Sequence, residues 1–178
     1  MSTNLPAPLD LGPMPVGRHM TVVDERDVRA RLMPVFALAA DVERWPSLLP
    51  HYRYVRFMER RADGGGIVEM SANRPFGLLQ WPTRWRSTMR VRRPLGTEPA
   101  SIRFTHVGGV TRGMDVEWTF HELDGDVTTV RIVHVWDGPD VPVVGPLAAT
   151  LVIGPVFVHG IASRTLAGLG AAAERGAG

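Results

Sequence analysis

The sequence predicts an α+β fold: an antiparallel β-sheet wrapped around a long C-terminal helix, with a short helical pair near the N-terminus. Three observations predict it. Residues 79–92 alternate, with Trp81, Thr83, Trp85, Ser87, Met89 and Val91 on one face and Arg84, Arg86, Arg90 and Arg92 on the other, the mark of a sheet with one covered and one wet side. Residues 33–49 read as helical but are interrupted by Pro46 and closed by Pro50. Near the C-terminus Val158, Ala162, Leu166, Leu169 and Ala173 recur at helical spacing as one apolar stripe, while Arg164 and Glu174 lie off it.

Taken in order, residues 1–17 hold Pro6, Pro8, Pro13 and Pro15 and read as a flexible lead-in without the pattern of a signal peptide; residues 18–178 form a single domain. A strand is expected around Arg18–Arg31, its pattern blurred by the run Asp24-Glu25-Arg26-Asp27. Residues 33–40 form a helix with Val35, Phe36 and Ala39 on one side and Pro34 in its first turn. Between the prolines, Ser47-Leu48-Leu49 make at most a short turn, and Trp45 fills a hole between helix and sheet. Strands follow at Tyr52–Arg61 and Ile67–Asn73, joined through Gly64-Gly65-Gly66, and Asn73-Arg74-Pro75-Phe76-Gly77 breaks the second of them. After 79–92, Ile102, Phe104 and His106 share a face opposite Arg103 and Thr105. Met114, Val116, Trp118 and Phe120 face in opposite Asp115, Glu117, Thr119 and His121. A tight hairpin at Leu123–Asp126 leads to a last strand with Val130, Ile132, His134 and Trp136 inward. Short connections make consecutive strands neighbours, and their apolar face needs a cover, residues 141–175.

Residues 141–163 contain no charged side chain, the length of a membrane span. Pro142, Pro146, Pro155, Gly145, Gly154, Gly160 and His159 argue instead for two helical pieces split near Gly154-Pro155. The apolar run 143–157 offers a surface for peripheral contact with a membrane or with a second copy of the chain as a homodimer. The expected location is the cytoplasm, with at most a peripheral membrane association.

Composition removes several chemistries. The 178 residues suffice for one buried core. There is no cysteine, hence no disulfide, thiolate nucleophile or cysteine-held metal. All 20 basic residues are arginine, so a Schiff-base lysine and a Walker-type phosphate loop are excluded. The net charge of +2 supplies no strong positive field, and no DNA partner is expected. The outer stripe Arg84, Arg86, Arg90 and Arg92 has no interleaved aromatics for base stacking; Asp115 and Glu117 on the same side can balance it.

The inward set is large and aromatic: Trp81, Trp85, Met89, Phe104, Trp118, Phe120 and Trp136, with His106 and His134 among them. Such a set either packs a solid core or lines a cavity for a mostly hydrophobic ligand. The two histidines can move protons near neutral pH. With no carboxylate expected on that face they do not make a metal site, and no cofactor is implied.

The run Phe36-Ala-Leu-Ala-Ala-Asp41-Val-Glu-Arg-Trp45-Pro46-Ser-Leu-Leu-Pro50 resembles the N-terminal signature of the START-like (SRPBCC) superfamily, and Ile161–Glu174 resembles its long closing helix. The resemblance spans most of residues 18–175. It implies a helix-grip fold with a deep apolar cavity between sheet and C-terminal helix, and places the chain near the polyketide cyclase/dehydrase and coenzyme-Q-binding branches. In the aromatase/cyclase branch the helical break carries a tryptophan and, seven residues on, a cavity-lining tyrosine; Trp45 and Tyr52 match both. That branch also has a tryptophan followed four residues later by an arginine. Here Trp81 is followed at that spacing by Trp85, and Trp85 by Met89. A bulge at Pro82 would be needed to turn Arg84 or Arg86 inward.

Together these readings expect a hydrophobic small-molecule ligand (polyketide, lipid or quinone-like) against Trp45, Trp81, Trp85, Met89, Phe104, Trp118, Phe120, Trp136 and Leu166. Tyr52 is the candidate acid, with His134 or His106 the base, for cyclisation or dehydration by proton transfer. The alternatives are a non-catalytic lipid or quinone carrier at the membrane surface, and an RNA- or ribosome-binding protein using the arginine face.

Overall fold

The computed structural model describes residues 5–76, 79–109, 111–139 and 158–177. Seven strands form one antiparallel sheet: β1 (Met20–Val28), β2 (Tyr52–Arg60), β3 (Gly66–Phe76), β4 (Leu79–Arg92), β5 (Ala100–Gly109), β6 (Asp115–Leu123) and β7 (Val127–Trp136). Their order across the sheet is β1-β7-β6-β5-β4-β3-β2, so β2 to β7 are a meander and β1 closes beside the last strand. Among the described residues three helices accompany them: α1 (Leu32–Ala40), the four-residue α2 (Trp45–Leu48), and α3 (His159–Ala177), with a short 3-10 turn at Val42–Arg44 between the first two.

The prolines act as expected. Pro46 sits in the first turn of α2, where its missing donor costs nothing. Leu49, just before Pro50, is extended at φ −125° and ψ 97° and ends the helix. Val158, just before α3, and Ala162, Leu166, Leu169 and Ala173 on it form the expected stripe, and all five are buried. Phe36 of α1 meets Phe120 of β6 edge-on at 5.3 Å, closing the other end of the core. The first of the two expected C-terminal helical pieces, and the run 143–157, lie outside the described residues. Among the described residues no helix is long and apolar enough to cross a membrane.

Two sequence expectations are corrected. Asn73–Gly77 does not end the strand at residue 73, because β3 continues to Phe76 in unbroken register with β4. Beyond Ala72 the pairing with β2 has ended, and β5 pairs with β4 only from Trp85 onward. Pro75 on its β2 side and Pro82 on its β5 side therefore have no ladder partner to lose. The register at Pro82, opposite Asn73, is also continuous, so no bulge turns an arginine inward, and Arg84 and Arg86 are exposed.

The second correction concerns Arg103. It lies on the outer face as expected but is buried, at 7% exposure. Residues 5–17 carry no helix or strand and cross that face as a strap. Ala62 donates its N–H to the Pro6 carbonyl at 2.9 Å, and Arg103 donates to the Gly12 carbonyl at 2.9 Å.

Candidate functional site

The site is built where the helical break meets the middle of the sheet. Trp45 donates its indole N–H to the Leu38 carbonyl at 3.2 Å, which fixes α2 against the end of α1. The same ring lies 5.2 Å from Tyr52 and 5.6 Å from Trp118. Tyr52, the first residue of β2, stands 6.2 Å from Trp85 of β4, and Trp85 stacks on His106 of β5 at 6.0 Å. One continuous aromatic wall thus runs from the break across the sheet.

The close approach of β4 and β5 behind that wall depends on Gly109. It pairs with Trp85, has φ 92°, and a Cβ there would fall 2.8 Å from the Trp85 Cα.

Between the wall and α3 is a cavity of about 70 Å³. Trp45, Tyr52, Trp85, Phe104, His106 and Trp118 line it from the sheet side, with His134 and Ile132 from β7. Val158, Ile161, Ala162 and Thr165 line it from the helix side. Among the described lining residues there is no carboxylate, guanidinium or ammonium group. The polar groups are imidazoles, hydroxyls and indoles. His106 Nδ1 is 2.7 Å from the buried Thr111 hydroxyl, which sets the orientation of the ring. His51 Nε2 is 3.1 Å from the hydroxyl of Thr165, joining the break to α3. Burial, and secondarily the positive Arg164, hold the His51 pKa below the ordinary imidazole value, so the ring is neutral at pH 7.

The cavity brings together Trp45, Tyr52, Trp85, Phe104, His106, Trp118 and His134 from the sequence-level set. It leaves out Met89, Phe120, Trp136 and Leu166, which are buried in the solid core around it. Trp136 is oriented by donating its indole N–H to the Arg112 carbonyl at 2.8 Å. The side chain of Trp81 lies outside the described residues.

Sequence reasoning missed Thr165, Thr111 and the inward role of His51. It also missed a carboxylate on the covered face. Asp24 stands opposite Ile132 in register and is 4% exposed. Its Oδ1 is 2.5 Å from Nδ1 of His159 at the start of α3, and its Oδ2 has no hydrogen-bond partner among the described residues. Burial pushes the Asp24 carboxyl above its ordinary pKa, and His159 opposes that push. The pair lies beside the cavity, one strand beyond Ile132. No cluster of three potential metal ligands occurs among the described residues.

The outer arginine stripe is divided. Arg56 pairs with the buried Glu69 at 2.6 Å and Arg86 reaches it at 3.8 Å, while the Tyr54 hydroxyl donates to it at 3.2 Å. Further along, Arg90 meets Asp10 of the strap at 3.4 Å.

Known structures share this architecture. A START superfamily protein from Mycobacterium smegmatis matches with a TM-score of 0.65 at 16% identity, over 87% of this chain and 97% of that one. The Zhui aromatase/cyclase from Streptomyces sp. R1128 matches with a TM-score of 0.65 at 19% identity, over 88% of this chain and 94% of its own. A protein from Thermus thermophilus matches with a TM-score of 0.67 at 19% identity, over 89% of this chain and all of its own. No curated protein sequence matches. At these identities the likeness establishes the fold, a START-like helix grip. The family described as polyketide cyclase / dehydrase and lipid transport matches residues 28–152, from the end of β1 through the whole meander. The chain belongs to that polyketide cyclase / dehydrase and lipid transport family.

Proposed function

We propose that the chain binds an uncharged, largely apolar small molecule of polyketide type between the sheet and α3, and that it promotes cyclisation or dehydration of that molecule by proton transfer. The observation that carries this reading is the lining of the cavity: an aromatic wall, with imidazole and hydroxyl groups and no formal charge among the described residues. A charged ligand would be desolvated there without a counter-ion, which is costly. A neutral one with a carbonyl or phenol finds donors and acceptors.

In the proposed reaction His134 or His106 removes a proton from a carbon flanked by carbonyls, and the resulting enolate carbon attacks a second carbonyl carbon. Tyr52 delivers a proton to the alkoxide that forms. The imidazolium passes its proton to the Tyr52 phenolate, which restores both groups. The base then takes a second carbon-bound proton while Tyr52 protonates the departing hydroxyl, which leaves as water, and the same proton return closes the cycle. Nothing is oxidised or reduced, so the step consumes no redox partner. Confinement of a flexible chain against the aromatic wall contributes through effective concentration.

At about 70 Å³ the open space is smaller than the roughly 300–1,000 Å³ of drug-sized sites, so a multi-ring ligand has to displace a wall. The helix side is held by two polar ties, Asp24 to His159 and His51 to Thr165. An RNA-binding reading draws less support, because the buried Glu69 engages Arg56 and Arg86 on that face.

The test is native mass spectrometry of the purified protein, with organic extraction of bound material. Turnover of a released poly-keto substrate by native, Tyr52→Phe and His134→Gln chains follows. Ligand retention with a change in product distribution or rate in the variants is the expected result. Unchanged products from both variants would sink the catalytic assignment. A retained quinone or lipid with no turnover would favour the carrier.

A further inference from the structure

A second cavity lies on the opposite side of the sheet and is unlike the first. It occupies about 340 Å³ between the outer face and the strap, within the roughly 300–1,000 Å³ range of small-molecule sites. Its floor is laid down by adjacent strands: Arg90 and Arg92 of β4, Ser101 and Arg103 of β5, and Glu117 of β6. Its wall is strap residues Asp10–Met14.

The register explains why this floor is unusual. Arg90 stands directly opposite Arg103, and Arg92 opposite Ser101. Two like charges face to face across an antiparallel pair destabilise the sheet unless something neutralises them. Arg103 is neutralised: its side chain, 9% exposed, meets Asp115 at 3.4 Å and donates to the Gly12 carbonyl. Its Nε is buried and donates no hydrogen bond among the described residues, since Glu117 at 3.9 Å is out of reach. Arg90 is only weakly served. Asp10 at 3.4 Å is 89% exposed on the strap, and such a pair contributes little. Arg92 is exposed and makes no ion pair among the described residues. The lining holds three guanidinium groups against two carboxylates, and the Asp10 carboxylate, which also accepts the Gly12 N–H at 3.0 Å, is largely exposed to solvent.

We propose that this cleft is a second binding site, for a small oxyanion-bearing molecule, phosphate or polycarboxylate, held by Arg90 and Arg92 on the floor set by Arg103. Guanidinium forks match both oxyanions in a two-point geometry. The strap forms one wall of the cleft and the sheet its floor, and the volume between them suits a metabolite-sized anion. Because the Gly12 carbonyl and the Asp10 carboxylate belong to the strap, occupation and strap position are linked. A bound anion displaces Asp10 from Arg90 and takes its place.

The experiment is isothermal titration of the full chain at low salt with inorganic pyrophosphate and, separately, with citrate. Native protein, Arg92→Ala and Asp10→Asn are compared. Saturable one-to-one binding of at least one probe is expected, and the preferred probe tells phosphate from carboxylate recognition. Arg92→Ala is expected to weaken it about tenfold, the loss of one charge-assisted contact. Asp10→Asn, which removes the competing carboxylate, is expected to tighten it. Amide shifts on pyrophosphate addition should gather at 10–14 and leave the aromatic cavity unmoved. No saturable binding of either anion at millimolar concentration, equal affinity in Arg92→Ala, or weaker binding in Asp10→Asn would overturn the proposal. All of these readouts are independent of ligand binding and turnover in the aromatic cavity.

Discussion

Glu69 and Asp24 are buried carboxylates on opposite faces of one sheet, and acid acts on them in opposite senses. For Glu69, burial raises the pKa, but the hydrogen bonds from Arg56 and Tyr54 and the charges of Arg56 and Arg84 outweigh it, and the net direction is down. Its stabilisation is therefore present above the unfolded value, about 4.3, and is lost as pH falls through the lower folded value. For Asp24 the net direction is up, from burial. Its contribution is complete below the unfolded value, about 3.9, and is lost as pH rises through the raised folded value. Glu69→Gln should lower the melting temperature at neutral pH, with the deficit shrinking in strong acid. Asp24→Asn, which keeps an acceptor for His159, should raise it at neutral pH, with the gain vanishing in acid. Thermal unfolding of both variants from acid to neutral pH checks this, and the same sign of pH dependence in both would refute it. Neither role was legible in the sequence. Asp24 opens a run of four charged residues, and only its pairing opposite Ile132 selects it as the inward one. Trp45 was legible as the large ring that fills the proline break, whereas a cavity-lining place for Tyr52 came only as an implication of the family resemblance.

At the scale of elements, periodicity carried most of the information. The α3 stripe was readable because five apolar side chains repeat at helical spacing, and all five are buried. The strands of the meander were readable because one face is covered and the other wet. The end of β3 was not, since proline signals a break only where a ladder partner is lost, and Pro75 has none on its β2 side. Contacts between elements were also beyond reach: His51 and Thr165 meet across 114 residues of chain. The β4–β5 contact behind the site leads to a further expectation. Gly109→Ala would place a Cβ against the Arg84 carbonyl and the Trp85 backbone at a positive φ. Because the obstacle is backbone, the strands must separate, at a cost of about 2 kcal/mol or more. Trp85 and its stacked partner His106 would move with β4 and β5, so the near-ultraviolet dichroism should change along with the midpoint of denaturation. A Gly109→Ala chain with native stability would show that this approach is looser than the register implies.

For the whole molecule the central question is whether the space between sheet and α3 is a binding volume or a packing remainder. Composition could not distinguish these, because apolar pockets and apolar cores are written in the same residues. Ala162 allows the two to be separated. It lines the cavity from the helix side, is 4% exposed, and belongs to the stripe that grips the sheet. Ala162→Leu adds three carbons where the open volume is about 70 Å³, so the larger side chain fills existing space with little displacement of neighbours. The fold is expected to survive with a melting temperature at or above the native one, since filling a void restores lost dispersion contacts. The neutral apolar dye Nile red should bind the native chain with enhanced fluorescence and raise its melting temperature by mass action. In Ala162→Leu both effects should fall by about tenfold or more if the α3 side of the cavity is where an apolar guest sits. A conservative Leu166→Met, beside the cavity but outside its lining, should leave dye binding near native. Equal dye affinity in the native and Ala162→Leu chains would place apolar binding elsewhere. It would leave the aromatic wall as core alone.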